Sequence, residues 1–210
     1  MNRIIVFALM FFCMTMQIEA QTLSEEEVTA KMYQAFELNK AAKKAEALEL
    51  FLIVGENTKQ QRNEGERQVY VCSQTMACQC YELLGRYKEG YLLGKSLLQG
   101  KLNDTERKDV GHLYAMNGYM YACEFIQRDE KGRADYKRGR ELISEILPYS
   151  DGQVKEYAET KIPLSWYFEG AQYAMTQSYD EALSSYEEAL NGFRDLGRVS
   201  EEVDVLSGIA

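Results

Sequence analysis

From Ser24 to Ala210 apolar residues return every three or four positions, and no run alternates apolar with polar for long enough to form a half-buried strand. This period predicts an all-α chain. Ser24 and Glu27 stand at the spacing of a capping box, which opens a helix through Val28, Met32, Ala35, Phe36 and Leu38. A second helix follows and carries Ala47, Leu50, Phe51 and Val54, of which Ala47, Phe51 and Val54 are expected to face the core. The third runs from Val71 to Leu84, turns at Gly85–Glu89, and hands over to a helix with Gly90, Gly94 and Leu97 on its inner face. Two glycines there weaken a helix by roughly 1 kcal/mol each, which is tolerable where neighbouring backbones pack closely.

Asn103-Asp104-Thr105 is a cluster of N-cap residue types. It opens a helix with Leu113, Gly118 and Tyr121 that is expected to run on into a charged loop, EFIQRDEKGRAD, ending at Asp135. The next helix carries Gly139, Ile143 and Ile146 and stops at Pro148, which cannot continue it. Pro163 is expected in the first turn of a following helix that carries Trp166, Gly170 and Tyr173. A turn at Gln177 and Ser178 leads to Ala182, Tyr186 and Ala189. That last helix is expected to reach Phe193 and Leu196, with Gly197 just past its end. A new helix begins near Ser200, with Val203 and Val205.

The stretch WYFEGAQYAMTQSYDEALSSYEEAL, Trp166 to Leu190, resembles the tetratricopeptide repeat, whose pattern is W-x2-L-G-x2-Y followed by A-x3-F. Trp166, Gly170, Tyr173 and Ala182 keep the pattern, while Glu169 stands in the Leu place and Tyr186 in the Phe place, and Ala189 follows on the same helix. Weaker copies precede it. Cys78 and Tyr81 occupy the Gly and Tyr places of a second unit, and Gly118 and Tyr121 those of a third. In the first unit Lys31 and Gln34 replace Trp and Leu. Ala47, Gly90, Gly139 and Ala182 are equivalent, at separations of 43, 49 and 43 residues. All exceed the roughly 34 residues of the standard repeat. The chain is thus similar to the long-helix variety found in peptide-binding bacterial regulators. The resemblance implies a right-handed α-solenoid of antiparallel helix hairpins over residues 21–210. Its units lie near 24–60, 68–100, 105–148 and 154–197, and a fifth begins at 200. A hairpin ending the chain on its first half implies continuation in a longer protein, or capping by another subunit.

Ahead of this region, Met1-Asn2-Arg3, an uncharged apolar run from Ile4 to Met16 and the small residue Ala20 have the order of a signal peptide, residues 1–20. The run is shorter than the about 20 residues that span a bilayer. Export, to the periplasm in a bacterium, is the expected location. Lysine and arginine number 24 against 33 acidic residues, a net charge of −9. That excess argues against nucleic-acid binding, which needs a basic stripe.

Chemistry is sparse. His112 is the only histidine, no nucleophile-elbow or phosphate-loop motif occurs, and no C-x-x-C pair exists. No catalytic, cofactor-binding or metal-ligating residue is therefore assigned, no cofactor is expected, and the chain is read as a non-enzyme. Cys80 and Cys123 fall on first helices of adjacent units, where they could form a bridge. The alternative is a set of small buried thiols.

In the family, first helices line a concave groove that binds peptides or protein segments. The resemblance places Met32, Phe36 and Asn39 there, then Thr75, Gln79 and Glu82, then Ala115, Tyr119 and Ala122, and finally Tyr167, Ala171 and Ala174. This surface is aromatic and small, without the basic cluster that clamps a terminal carboxylate. It suits an apolar or helical partner segment, or an adjoining domain of the same protein. The expected function is an exported protein-interaction scaffold. The alternative is the periplasmic sensory ectodomain of a membrane histidine kinase or DNA-binding regulator, with its output beyond residue 210.

Overall fold

The computed structural model describes residues 23–127 and 134–209, and every regular element among them is helical. The signal-peptide reading of residues 1–20 lies outside the described residues. In chain order the helices are α1 (Glu25–Lys40), α2 (Lys44–Thr58), α3 (Glu64–Leu83), α4 (Tyr87–Leu98), α5 (Asp104–Ile126) and α6 (Tyr136–Ile146). A 3-10 turn, Leu147–Tyr149, then precedes α7 (Gly152–Met175), α8 (Tyr179–Asp195) and α9 (Val199–Ile209). No helix among the described residues is long and apolar enough to cross a membrane.

Local chemistry sets the ends of these helices. Ser24 and Glu27 form the expected capping box at α1, and Asn103 with Glu106 forms a second at α5. Asn63 caps α3 and Asp135 caps α6, each accepting from a backbone N–H in the first turn. Four connections share one geometry. Ala42, Gly85, Gln177 and Gly197 all adopt positive φ, between 60° and 69°. The next residue returns its N–H to the preceding helix: Lys43 to Leu38, Arg86 to Tyr81, Ser178 to Tyr173 and Arg198 to Phe193, all within 2.9–3.0 Å. This is the hydrogen-bond pattern of the Schellman motif. Gly197 takes the place foreseen for it, directly after the α8 cap at Leu196.

Successive helices pack against one another, and α3 also packs against α5, as α5 does against α7. The pair directions follow from which residues meet. A Cβ built on Gly90 would fall 2.2 Å from the Asn117 Oδ1, and one on Gly94 would lie 3.0 Å from the Tyr114 Cβ. An earlier residue of α4 therefore meets a later residue of α5, and the two run antiparallel. Gly118 against Ile146 and Gly139 against Ile126 show the same for α5 and α6. Gly170 against Tyr186 and Gly192 against Pro163 show it for α7 and α8. By contrast α3 and α5 are parallel. Arg67 reaches Glu106, and the Asn117 amide donates to the Cys78 carbonyl, each across 39 residues of sequence.

The second-helix positions expected inward are all buried: Ala47, Phe51 and Val54; Gly90, Gly94 and Leu97; Gly139, Ile143 and Ile146; Ala182, Tyr186 and Ala189. The apolar interior is divided along the chain. One cluster joins α1 to α4 around Phe51 and Tyr81, the largest joins α4 to α7 around Tyr114 and Ile143, and a third joins α7 to α9 around Phe193 and Val205.

Two boundaries differ from expectation. Helix α3 begins at Glu64, earlier than Val71, because Asn63 supplies the cap and Arg67 packs inward. Pro163 is not in a first turn but deep inside α7. The helix has already started at Gly152 and buries Val154 and Ala158 before the proline is reached. The proline ring sits against Gly192 of α8, where a side chain would be blocked. Tertiary packing there outweighs the backbone hydrogen bond that proline removes.

Candidate functional site

Trp166, in the middle of α7, does not stand alone. The Arg140 guanidinium of α6 lies over its ring, 3.4 Å from the centroid. Nη2 of Arg140 donates to the Glu169 carboxylate at 2.7 Å, and Nη1 to the Ser165 hydroxyl at 3.3 Å. Equivalent places on earlier helices also face the preceding helix. Gln74 approaches Phe51 and Gly55 of α2, and Tyr114 lies against Gly94 and stacks on Tyr91 of α4 with centroids 5.3 Å apart. Trp166 and its counterparts are therefore seam residues between successive helix pairs.

A polar cluster joins α4, α5 and α6. Glu145 accepts from the Tyr114 hydroxyl at 2.6 Å and the Tyr91 hydroxyl at 2.9 Å, and pairs with Lys95 at 2.7 Å. Burial raises the Glu145 carboxyl, but the hydrogen bonds from Lys95, Tyr114 and Tyr91 outweigh it and hold the group below its ordinary value. Arg67 is clasped between Glu64 and Glu106, with two bonds to Glu106 at 2.8 and 3.0 Å. His112 is exposed and lies 3.1 Å from Asp151, ahead of α7. Each of these groups is occupied in joining helices.

The groove residues of α1 divide in role. Met32 and Phe36, with Val28, Thr29, Tyr33 and the α3 residue Val69, line an open apolar recess of about 280 Å³. Phe36 also meets Phe51 edge-on, with centroids 5.5 Å apart. The Asn39 side chain is held at the turn by the Lys44 ammonium at 2.6 Å. On α3, the Thr75 hydroxyl donates back to the Val71 carbonyl at 2.7 Å, and Gln79 and Glu82 are half-buried. Burial pushes the Glu82 carboxyl up, offset in part by His112.

Farther along, Tyr119 stacks on Tyr157 of α7 with centroids 6.3 Å apart, and burial raises its phenol. Ala115 and Ala122, on either side of it, are fully buried within the cluster that contains Val154 and Ala158. The open surface expected at those two alanines is thus absent, because α7 packs onto α5 there. Tyr167 lies between Phe168 and Tyr186, at 5.7 and 5.8 Å, and Ala171 and Ala174 are half-buried beside it. The structure gathers Met32 and Phe36 into one recess and leaves the remaining groove residues spread along α3, α5 and α7.

Cys72, Cys78, Cys80 and Cys123 are free thiols. Cys80 packs in the cluster of α1 and α2, beside Asn39, while Cys123 lies by Tyr119 and Lys161. The two side chains address opposite neighbours, so the bridge considered between them is not formed. Burial pushes the Cys78 thiol up to about 12, which keeps it protonated and inert. Among the described residues, no three or more His, Cys, Asp or Glu side chains are placed so that they could hold a metal ion.

Arg140, Glu145, Asn117 and Val69 are the seam and recess residues that the sequence did not single out. Their partners on other helices lie between 25 and 54 residues away, beyond the reach of local spacing. Comparison with family models, with curated proteins and with solved structures finds no match to this chain.

Proposed function

We propose that the helix pairs form a right-handed, tetratricopeptide-like α-solenoid, and that the protein is an exported scaffold that binds protein or peptide segments through the face made by α1, α3, α5 and α7. The observation that carries this reading is the recurrent seam. Arg67 to Glu106, Cys78 to Asn117 and His112 to Asp151 all join one pair to the next across 39 residues of sequence. A constant offset between parallel first helices is what stacked repeats require, each unit contacting its neighbours. The inward glycines and alanines of the second helices, and the repeated turn geometry, support the same stacking.

The test is selection of a displayed random peptide library on the folded chain. Binders are expected whose affinity falls with Phe36→Ala, Tyr119→Ala or Tyr167→Ala while helicity is kept, as read by circular dichroism. Binding unchanged in all three variants would overturn the groove reading.

A second reading, the periplasmic sensory ectodomain of a membrane histidine kinase or regulator, is favoured by α9. Val199, Val203 and Leu206 form one exposed apolar stripe on that helix, while Val205 alone is buried against α8. A further helix of the same protein is a natural cover for such a stripe. Determining the coding sequence beyond Ala210 tests it, and a stop codon there would sink it.

A further inference from the structure

The recess between α1 and α3 is the place where open apolar surface and unbalanced charge coincide. Val28, Thr29, Met32, Tyr33, Phe36 and Val69 enclose about 280 Å³, room for one bulky side chain. Tyr33 is 71% exposed at its rim. Thr29 also borders a shallow depression shared with Glu25, Glu26 and Ala30, so the apolar recess opens directly onto the acidic first turn of α1. Among the described residues neither Glu25 nor Glu26 is in an ion pair, whereas Glu27 caps the helix through Ser24. The nearest cations stand off from these two carboxylates, although Arg62 borders an adjoining depression together with Glu25. Lys31 acts on Glu27, and Arg62 lies 3.9 Å from Glu66. Two carboxylates are left facing solvent beside the recess, on a chain whose net charge is −9.

Resting on the scaffold reading above, we infer that this recess docks a basic–apolar protein segment. One bulky aliphatic or aromatic side chain of the partner enters between Met32, Tyr33, Phe36 and Val69, and a lysine or arginine of the partner meets Glu25 and Glu26. Glu25 and Met32 are seven residues apart on one helix, about 10 Å at roughly 1.5 Å per residue. In an extended partner, at about 3.3 Å per residue, the two anchors stand three positions apart. The motif is then apolar-x-x-basic, in either direction. Charge complementarity selects this partner over an acidic or uncharged one, because like charges beside the recess would oppose docking.

The peptide selection described above tests this on the full chain. Enriched sequences are expected to carry one bulky apolar residue and a lysine or arginine three positions away. Thr29→Arg, which fills the recess and neutralises its rim, is expected to abolish their binding. The pair Glu25→Lys and Glu26→Lys is expected to weaken it about tenfold at low salt, with the difference shrinking as ionic strength rises. Tyr33→Ala, at an exposed helical site that leaves the fold intact, is expected to weaken it about threefold to tenfold.

Binders insensitive to Thr29→Arg but sensitive to Tyr119→Ala or Tyr167→Ala would overturn this inference and leave the scaffold reading standing. Failure to obtain any binder would count against both. Binding seen only when residues 1–20 are removed would assign the recess to this chain's own N-terminal segment. Concentration-dependent dimerisation abolished by Thr29→Arg would assign it to a second copy. Either result overturns an external partner.

Discussion

The Arg140 guanidinium holds Glu169 at 2.7 Å while its Cζ sits 3.4 Å from the centroid of the Trp166 ring. Both members of the pair are largely withdrawn from water, with side chains 11% and 17% exposed. The glutamate stands where the tetratricopeptide pattern that this stretch resembles has leucine, and the arginine supplies its partner. A charged pair thus bridges the seam between α6 and α7. Removing one member of such a pair strands the other, which typically costs about 3 kcal/mol, whereas replacing both by apolar groups is often neutral. Glu169→Leu alone is therefore expected to destabilise despite restoring the pattern, by about 2 kcal/mol given the residual exposure. Arg140→Met combined with Glu169→Leu is expected to recover most of that loss. Urea unfolding of the two single variants and the double variant measures the coupling, and additive effects would refute it.

The four matching turns give a second expectation. Gly85 and Gly197 occupy their left-handed positions without a Cβ, but Ala42 and Gln177 adopt φ of 60° and 62° with one. An L-residue in that region is strained by roughly 1–2 kcal/mol, partly offset by glycine's greater freedom in the unfolded chain. Ala42→Gly and Gln177→Gly should each stabilise by about 0.5–1 kcal/mol, and Gly85→Ala should destabilise by a similar amount. Thermal melts of the three variants check the signs.

Close approach at Gly90 gives a third. A Cβ there would meet the Asn117 side chain at 2.2–2.9 Å. Asn117 is fully buried and donates to the Cys78 and Leu113 carbonyls, so its amide cannot swing aside without leaving its own buried N–H donors unpaired. Gly90→Ala is expected to lose about 1–3 kcal/mol despite alanine's better helix propensity. Adding Asn117→Ala should relieve the clash, so the double variant falls short of the sum of the two single losses. Chemical denaturation of all three decides it.

The inner faces of the second helices were legible in the sequence because small residues recur there at helical spacing, from Ala47 through Gly90 and Gly139 to Ala182. The turn after α8 was legible because Gly197 is a glycine, whereas the identical turn chemistry at Ala42 is hidden by an ordinary side chain. Pro163 misled because proline signals a helix start locally, while its actual seat is set by Gly192 on another helix. Ala115 and Ala122 read as open surface in the sequence because the helix packed on them, α7, lies about thirty residues or more downstream. The pairing of Arg140 with Glu169 has no local signature at all. Spacing reveals what a helix does to its own residues, and seams between helices appear only once the pairs are stacked.

Stability toward acid follows from the carboxylates at those seams. Glu106 is held below the ordinary value of 4.5 by its hydrogen bonds from Arg67, and Glu145 by the donors Lys95, Tyr114 and Tyr91 acting against burial. A carboxyl whose folded value is depressed binds protons more weakly folded than unfolded. Its stabilisation is present above 4.5 and is lost as pH falls through the lower, folded value. Glu82 has the opposite sign, since burial raises it, so its contribution is present at low pH and is lost as pH rises through its folded value. Two depressed groups at seams against one raised group on a helix face predict net destabilisation as pH drops below about 4.5. Glu106→Gln and Glu145→Gln should each lower stability at neutral pH and flatten its fall toward acid. Glu82→Gln should steepen the same fall by removing the opposing contribution. Urea midpoints taken between about pH 7 and pH 3 for the four proteins test this, and profiles that stay parallel to the parent would refute the assignment.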